Sequence, residues 1–110
     1  MINSNYGVVL VTVGSLSEEK AIATQLIEAK LAACVNLFPI DSIYLWQGKI
    51  NQDQEYQLII KTDLSKFDQL AAKIETLHSY EVPEIIALPM IAGSKNYLDW
   101  LEADNLNLAD

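Results

Sequence analysis

The chain has 110 residues, 51% of them apolar, with 15 acidic against 7 basic side chains and a net charge of -8. Every basic residue is a lysine, so no guanidinium can clamp a phosphate, and an acidic surface repels a polyanion; nucleic acid is not an expected partner. One core fits this length better than two, and a lone cysteine, Cys34, excludes a disulfide framework and zinc sites of the four-cysteine or two-cysteine, two-histidine kind.

Met1 to Tyr6 carries no positive charge, and the apolar run Val8 to Val11 is shorter than a signal-peptide core or a membrane span, so a cytoplasmic protein in a reducing compartment is expected. A single domain over 1–110 is expected, with its folded part running from about Tyr6 to Asp104. Gly7 to Val13 is rich in valine and reads as a strand covered on both faces. Ser15 stands three residues before Glu18, the spacing of a capping box, and Glu18 and Glu19 put negative charge where the helix dipole favours it. Ile22, Leu26, Ala29 and Ala33 continue at helical spacing, which predicts a helix running to about Ala32.

Cys34 to Trp46 and Ile50 to Lys61 are two β-branched and aromatic arms around Gly48-Lys49, the pattern of a long antiparallel hairpin. Pro39 cannot donate a ladder bond, so a bend or bulge is expected there. Both arms exceed the usual strand of about 5–6 residues, so the tip should project past the sheet and need a cover. From Ser65, the residues Phe67, Leu70, Ala71, Ile74 and Leu77 predict a second helix, capped by Ser65 or Asp63 and ending near His78. A connection over 78–83, a short strand from Glu84 to Met90 and a last helix after Gly93-Ser94 complete the chain. The order strand, helix, strand, strand, helix, strand predicts an α+β, ferredoxin-like βαββαβ sandwich, which by itself implies no function.

Five blocks, LAACVNL (31–37), SIYLWQGKI (42–50), LIIKT (58–62), HSYEVPEIIALP (78–89) and NYLDW (96–100), together resemble the CutA family of divalent-cation tolerance proteins over nearly the whole chain. The resemblance implies a cytosolic homotrimer with PII-like architecture, associated with tolerance to copper and other divalent cations and with no established reaction. Two positions depart from the family pattern. Ser79 stands where proline is frequent, and Leu45 where arginine is frequent, so any anion contact made through that arginine would be missing here.

The candidate metal ligands are His78, Glu81, Glu84 and Cys34. His78 either satisfies carbonyls at the end of the second helix or joins Glu81 and Glu84 in a nitrogen and oxygen site suited to copper or another divalent cation. Cys34 is either a small buried hydrophobe or, if exposed, a soft ligand. Tyr44, Trp46, Tyr80 and Trp100 supply aromatic area either for contacts between subunits or for ordinary packing within the chain. Acidic pairs such as Asp53/Glu55 lack a nucleophile, oxyanion donors or a phosphate loop beside them, so no enzyme is expected. The reading is a homotrimer binding divalent metal, copper foremost, with a PII-like signalling or interaction trimer, its clefts holding a small molecule or protein, as the alternative.

Overall fold

In the computed structural model, residues 5–105 are described. They form β1 (Tyr6–Val13), α1 (Leu16–Glu28), β2 (Cys34–Trp46), β3 (Lys49–Asp63), a single tight turn of helix (Leu64–Lys66), α2 (Phe67–Leu77), β4 (Ile85–Pro89) and α3 (Lys95–Trp100). The four strands make one antiparallel sheet in the order β2-β3-β1-β4, with α1 and α2 packed on one face: the ferredoxin-like arrangement.

The valines of β1 divide by alternation. Val9, Val11 and Val13 are fully buried under the helices beside Ile22, Leu26, Leu58, Ile60, Leu70 and Ile74. Val8, Leu10 and Thr12 point to the other face and are only half-buried, so the strand is not covered on both faces. The reason is architectural, since both packed helices lie on the same side.

Ser15 caps α1 in extended backbone, its hydroxyl accepting the Glu18 amide at 3.2 Å. The helix stops at Glu28 rather than Ala32. Lys30 turns left-handed (φ 58°), its amide donates to the Ile27 carbonyl and the Leu31 amide to the Leu26 carbonyl, which is a Schellman motif with lysine in the usual glycine position. The carbonyls beyond that reversal find partners in another part of the chain. The Lys66 ammonium, only 1% exposed, donates to Lys30 O at 2.7 Å, and the buried Thr62 hydroxyl donates to Leu31 O at 2.7 Å. A cation thus lies at the negative end of α1, while burial holds its ammonium below the ordinary lysine range.

The hairpin pairs one-to-one from Cys34 opposite Lys61 to Trp46 opposite Lys49, with Pro39 opposite Tyr56. No residue is inserted, so the expected bulge is not formed; β2 is an edge strand, where a missing N–H is tolerated. The turn is Gln47-Gly48, one residue earlier than expected. Both residues have positive φ (51° and 77°), the two-residue reversal whose twist matches antiparallel strands, and glycine takes its second position at no steric cost. The last pair between β1 and β3 is Val13 with Tyr56, so β3 from Lys49 to Glu55 and β2 from Ile40 to Trp46 extend beyond the sheet as a two-stranded arm.

The remaining boundaries move by a residue or so. Asp63 caps the turn before α2 by accepting the Ser65 amide at 2.9 Å, and β4 begins at Ile85 and ends at Pro89. Leu101 and Tyr6 form a second small apolar cluster with Ala33, Met90 and Leu98, which anchors the segment after α3.

Glu19 is the exception inside the core. It is fully buried, and neither carboxylate oxygen has a hydrogen-bond partner among the described residues. Burial pushes its carboxyl above the ordinary range; the Phe38 amide, outside hydrogen-bond geometry, and the Lys20 charge offset this only in part. With the folded value raised, the unfolded chain ionises first, so Glu19 withdraws stability as pH climbs from the ordinary carboxylate range, about 4.3, toward the folded value. Glu19→Gln is therefore expected to raise the urea midpoint more at pH 8 than at pH 5. Equal shifts at the two pH values would contradict this.

Candidate functional site

A run of side-chain hydrogen bonds lies where the connection between α2 and β4 meets the root of the arm. α2 ends with the His78 amide donating to Ile74 O at 2.9 Å, and the chain then runs extended. The imidazole does not cap the helix that precedes it. It is fully buried, with Nε2 2.7 Å from the Thr12 carbonyl of β1 and Nδ1 accepting the Tyr80 amide at 3.0 Å. A carbonyl can only accept, so Nε2 carries the ring proton and Nδ1 is the bare nitrogen. Glu18 Oε2 stands 3.6 Å from that Nδ1.

Glu18 does not reach back to Ser15 to close the expected capping box. Its carboxylate instead accepts the Ser79 amide at 2.6 Å and the Ser79 hydroxyl at 2.9 Å. The serine uses two donors that a proline at this position would lack. Tyr80 then turns toward the arm, its hydroxyl donating to Glu55 Oε2 at 2.6 Å. Burial first, then that bond and the charge of Glu55, push its phenol far above the usual tyrosine range. Gly14 leaves room for the ring: a Cβ there would lie 3.0 Å from the Tyr80 hydroxyl. Farther out, the Tyr44 hydroxyl donates to Asp53, which raises its phenol in the same direction. Two phenols are thus bonded to two carboxylates that alternation places on one face of β3.

The four predicted ligands are distributed rather than gathered. Glu81 and Glu84 are exposed on the connection after His78, and both ring nitrogens of His78 are already engaged. Cys34 is half-buried at the start of β2, beside Tyr97, whose phenol is raised by burial and then by the nearby thiol. It pairs with Lys61, itself opposite Val8, whereas His78 contacts Thr12, so about 13 Å of β1 separates the two levels at about 3.3 Å per residue. Among the described residues, no three His, Cys, Asp or Glu side chains come together as a cation cage within the chain. Sequence reasoning missed Glu18, whose spacing from Ser15 pointed to a local role, and Gly14. Asp53 and Glu55 were visible as an alternating pair, but their phenol partners were not.

A ferredoxin-like α+β domain with an overlong β2–β3 arm and a polar connection packed at its root defines a recognisable class. A family model described as CutA1 divalent ion tolerance protein matches residues 7–104, and the chain belongs to that family. The divalent-cation tolerance protein CutA of Thermus thermophilus is 50% identical over 95 residues, covering 86% of this chain and 92% of the relative. The solved CutA of Synechococcus elongatus superposes with a TM-score of 0.90 at 37% identity, covering 96% of this chain and 94% of the other. A structure from Archaeoglobus fulgidus, titled a periplasmic divalent cation tolerance protein, gives a TM-score of 0.85 at 43% identity over 87% of this chain and 94% of its own.

The buried ring of His78 has a structural duty that can be measured. His78→Ala leaves the Thr12 carbonyl and the Tyr80 amide without their partner, and the expected cost is about 1–3 kcal/mol in urea unfolding. A loss within a few tenths of a kcal/mol would show that water replaces the ring.

Proposed function

We propose that this chain works in divalent-cation tolerance as a homotrimer that binds divalent metal, copper foremost, in the cytoplasm and without catalysing a reaction. The observation that carries the reading is the match of residues 7–104 to the CutA1 divalent ion tolerance family. Assembly is supported by apolar side chains that the single chain leaves in water. Ile43, Leu45, Trp46 and Ile50 on the arm are between 62% and 80% exposed, and Ile86 and Leu88 lie open on β4. An apolar patch of this kind is covered most simply by further copies of the same chain. The lone unpaired Cys34 suits a reducing compartment.

For the metal, the exposed carboxylates Glu81 and Glu84 on an acidic protein are the accessible ligands in our reading. His78 joins them only by releasing the Tyr80 amide, and Cys34 serves the softer Cu(I) from its own end of the sheet.

Sedimentation equilibrium is expected to give three times the chain mass, and Trp46→Ala to shift the protein toward smaller species while the fold survives, since this ring is 62% exposed in the single chain. A monomer for the parent protein would sink the assembly reading. In calorimetric titration with Cu(II), the double variant Glu81→Gln, Glu84→Gln should bind at least tenfold more weakly, about 1.4 kcal/mol, a larger loss than His78→Ala produces. An unchanged isotherm in the double variant, with heat instead from a metabolite panel, would favour the signalling trimer.

A further inference from the structure

The geometry points to Glu18 and Ser79 as a latch: the α1 carboxylate holds the connection after α2 in the one conformation that aims Tyr80 at the root of the arm. The stretch from His78 to Glu84 belongs to no helix or strand, so its backbone donors have no ladder to join and turn to side chains or water. The Ser79 amide is satisfied by Glu18 and the Tyr80 amide by His78 Nδ1. Glu18 reaches across 61 residues of sequence and accepts both donors of Ser79, one on each carboxylate oxygen.

The carboxylate is well placed for this. It stands in the first turn of α1, where the dipole favours negative charge, its own amide is capped by Ser15, and its side chain is only 15% exposed. Charge-assisted bonds in such a setting are about twice as strong as neutral ones.

Three contacts then follow in series. Fixing Ser79 fixes the peptide that presents the Tyr80 amide to His78; that bond requires an unprotonated Nδ1, and Nε2 is committed to Thr12 O. The same peptide sets the tilt of the Tyr80 ring, 4.8 Å from the imidazole between centroids, and its hydroxyl lands on Glu55, which pairs with Ile40 where the arm leaves the sheet. Glu18 is therefore a positioning residue for Tyr80 and, through it, for the arm. Opening the latch frees the Tyr80 amide, the fixed tautomer of His78 and the Glu55 contact together.

His78 is the only histidine in the chain, so its ring nitrogens give an unambiguous signal in 15N NMR. The experiment is run on the full chain without metal, following that spectrum and amide hydrogen exchange at Tyr80, with the buried β1 amides of Val9 and Val11 as the reference for an intact fold. Glu18→Ala is expected to speed exchange at Tyr80 at least tenfold and to mix the two His78 tautomers, leaving the β1 amides unchanged. Glu18→Gln should restore both readouts, because its amide oxygen can accept the Ser79 N–H while its NH2 donates to the Ser79 hydroxyl. With Ser79→Pro, which removes both donors, adding Glu18→Ala should change Tyr80 exchange by less than twofold. Parent-like exchange and a single tautomer in Glu18→Ala would overturn the latch, as would an undiminished Glu18→Ala effect in the Ser79→Pro background.

Discussion

The ladder between β2 and β3 is closed at one end by the Gln47-Gly48 turn and runs without an inserted residue to Cys34 opposite Lys61, so a single register fixes which side chains face the helices along both strands. Leu58, Ile60 and Thr62 go inward, and β1 can add its own buried valines only as far as Val13. The arm follows from that arithmetic of lengths. Beyond Tyr56, β3 has no β1 neighbour, so apart from its β2 partner and the phenols bonded to Asp53 and Glu55 its side chains are open to water or another molecule.

The chain supports this arrangement from two ends with different chemistry. Under α1's C-terminus, Lys66 and Thr62 satisfy the Lys30 and Leu31 carbonyls from the segment that leads into α2, which ties the first half of the fold to the second. Around α1's N-terminus, Ser15, Glu18, Ser79, His78 and Tyr80 form a chain of hydrogen bonds that ends on Glu55. The apolar core lies between these two polar clamps, and both act on one helix. Glu19, buried on the same first turn without a hydrogen-bond partner among the described residues, works against them.

Much of this was legible before the structure, and the exceptions share a cause. Periodicity located both long helices, the hairpin and the strand order, because burial of one face imposes a repeat that survives in any context. The end of α1 was not visible, since Lys30 adopts a conformation that sequence readers reserve for glycine and is held there by residues more than thirty positions away. Pro39 lacks a ladder donor, which in sequence points to a bend or bulge, but on the edge strand β2 that donor can face away from the ladder. The hydrogen bonds of the His78 ring are not legible either, since its partners Thr12 and Tyr80 come from a strand at the other end of the chain and from local backbone geometry that no spacing rule encodes.

Lys66 has a consequence for anyone who labels this protein. Its amine is hydrogen-bonded to a carbonyl and 1% exposed, whereas Lys95 displays an 86% exposed side chain. Acylating reagents need a free, deprotonated amine, so surface lysines will react on mixing, whereas Lys66 will react only during the moments when the joint between α1 and α2 comes apart. The degree of modification at this one position, read by mass spectrometry against time, is therefore a clock for opening of the fold that needs no mutation or attached probe.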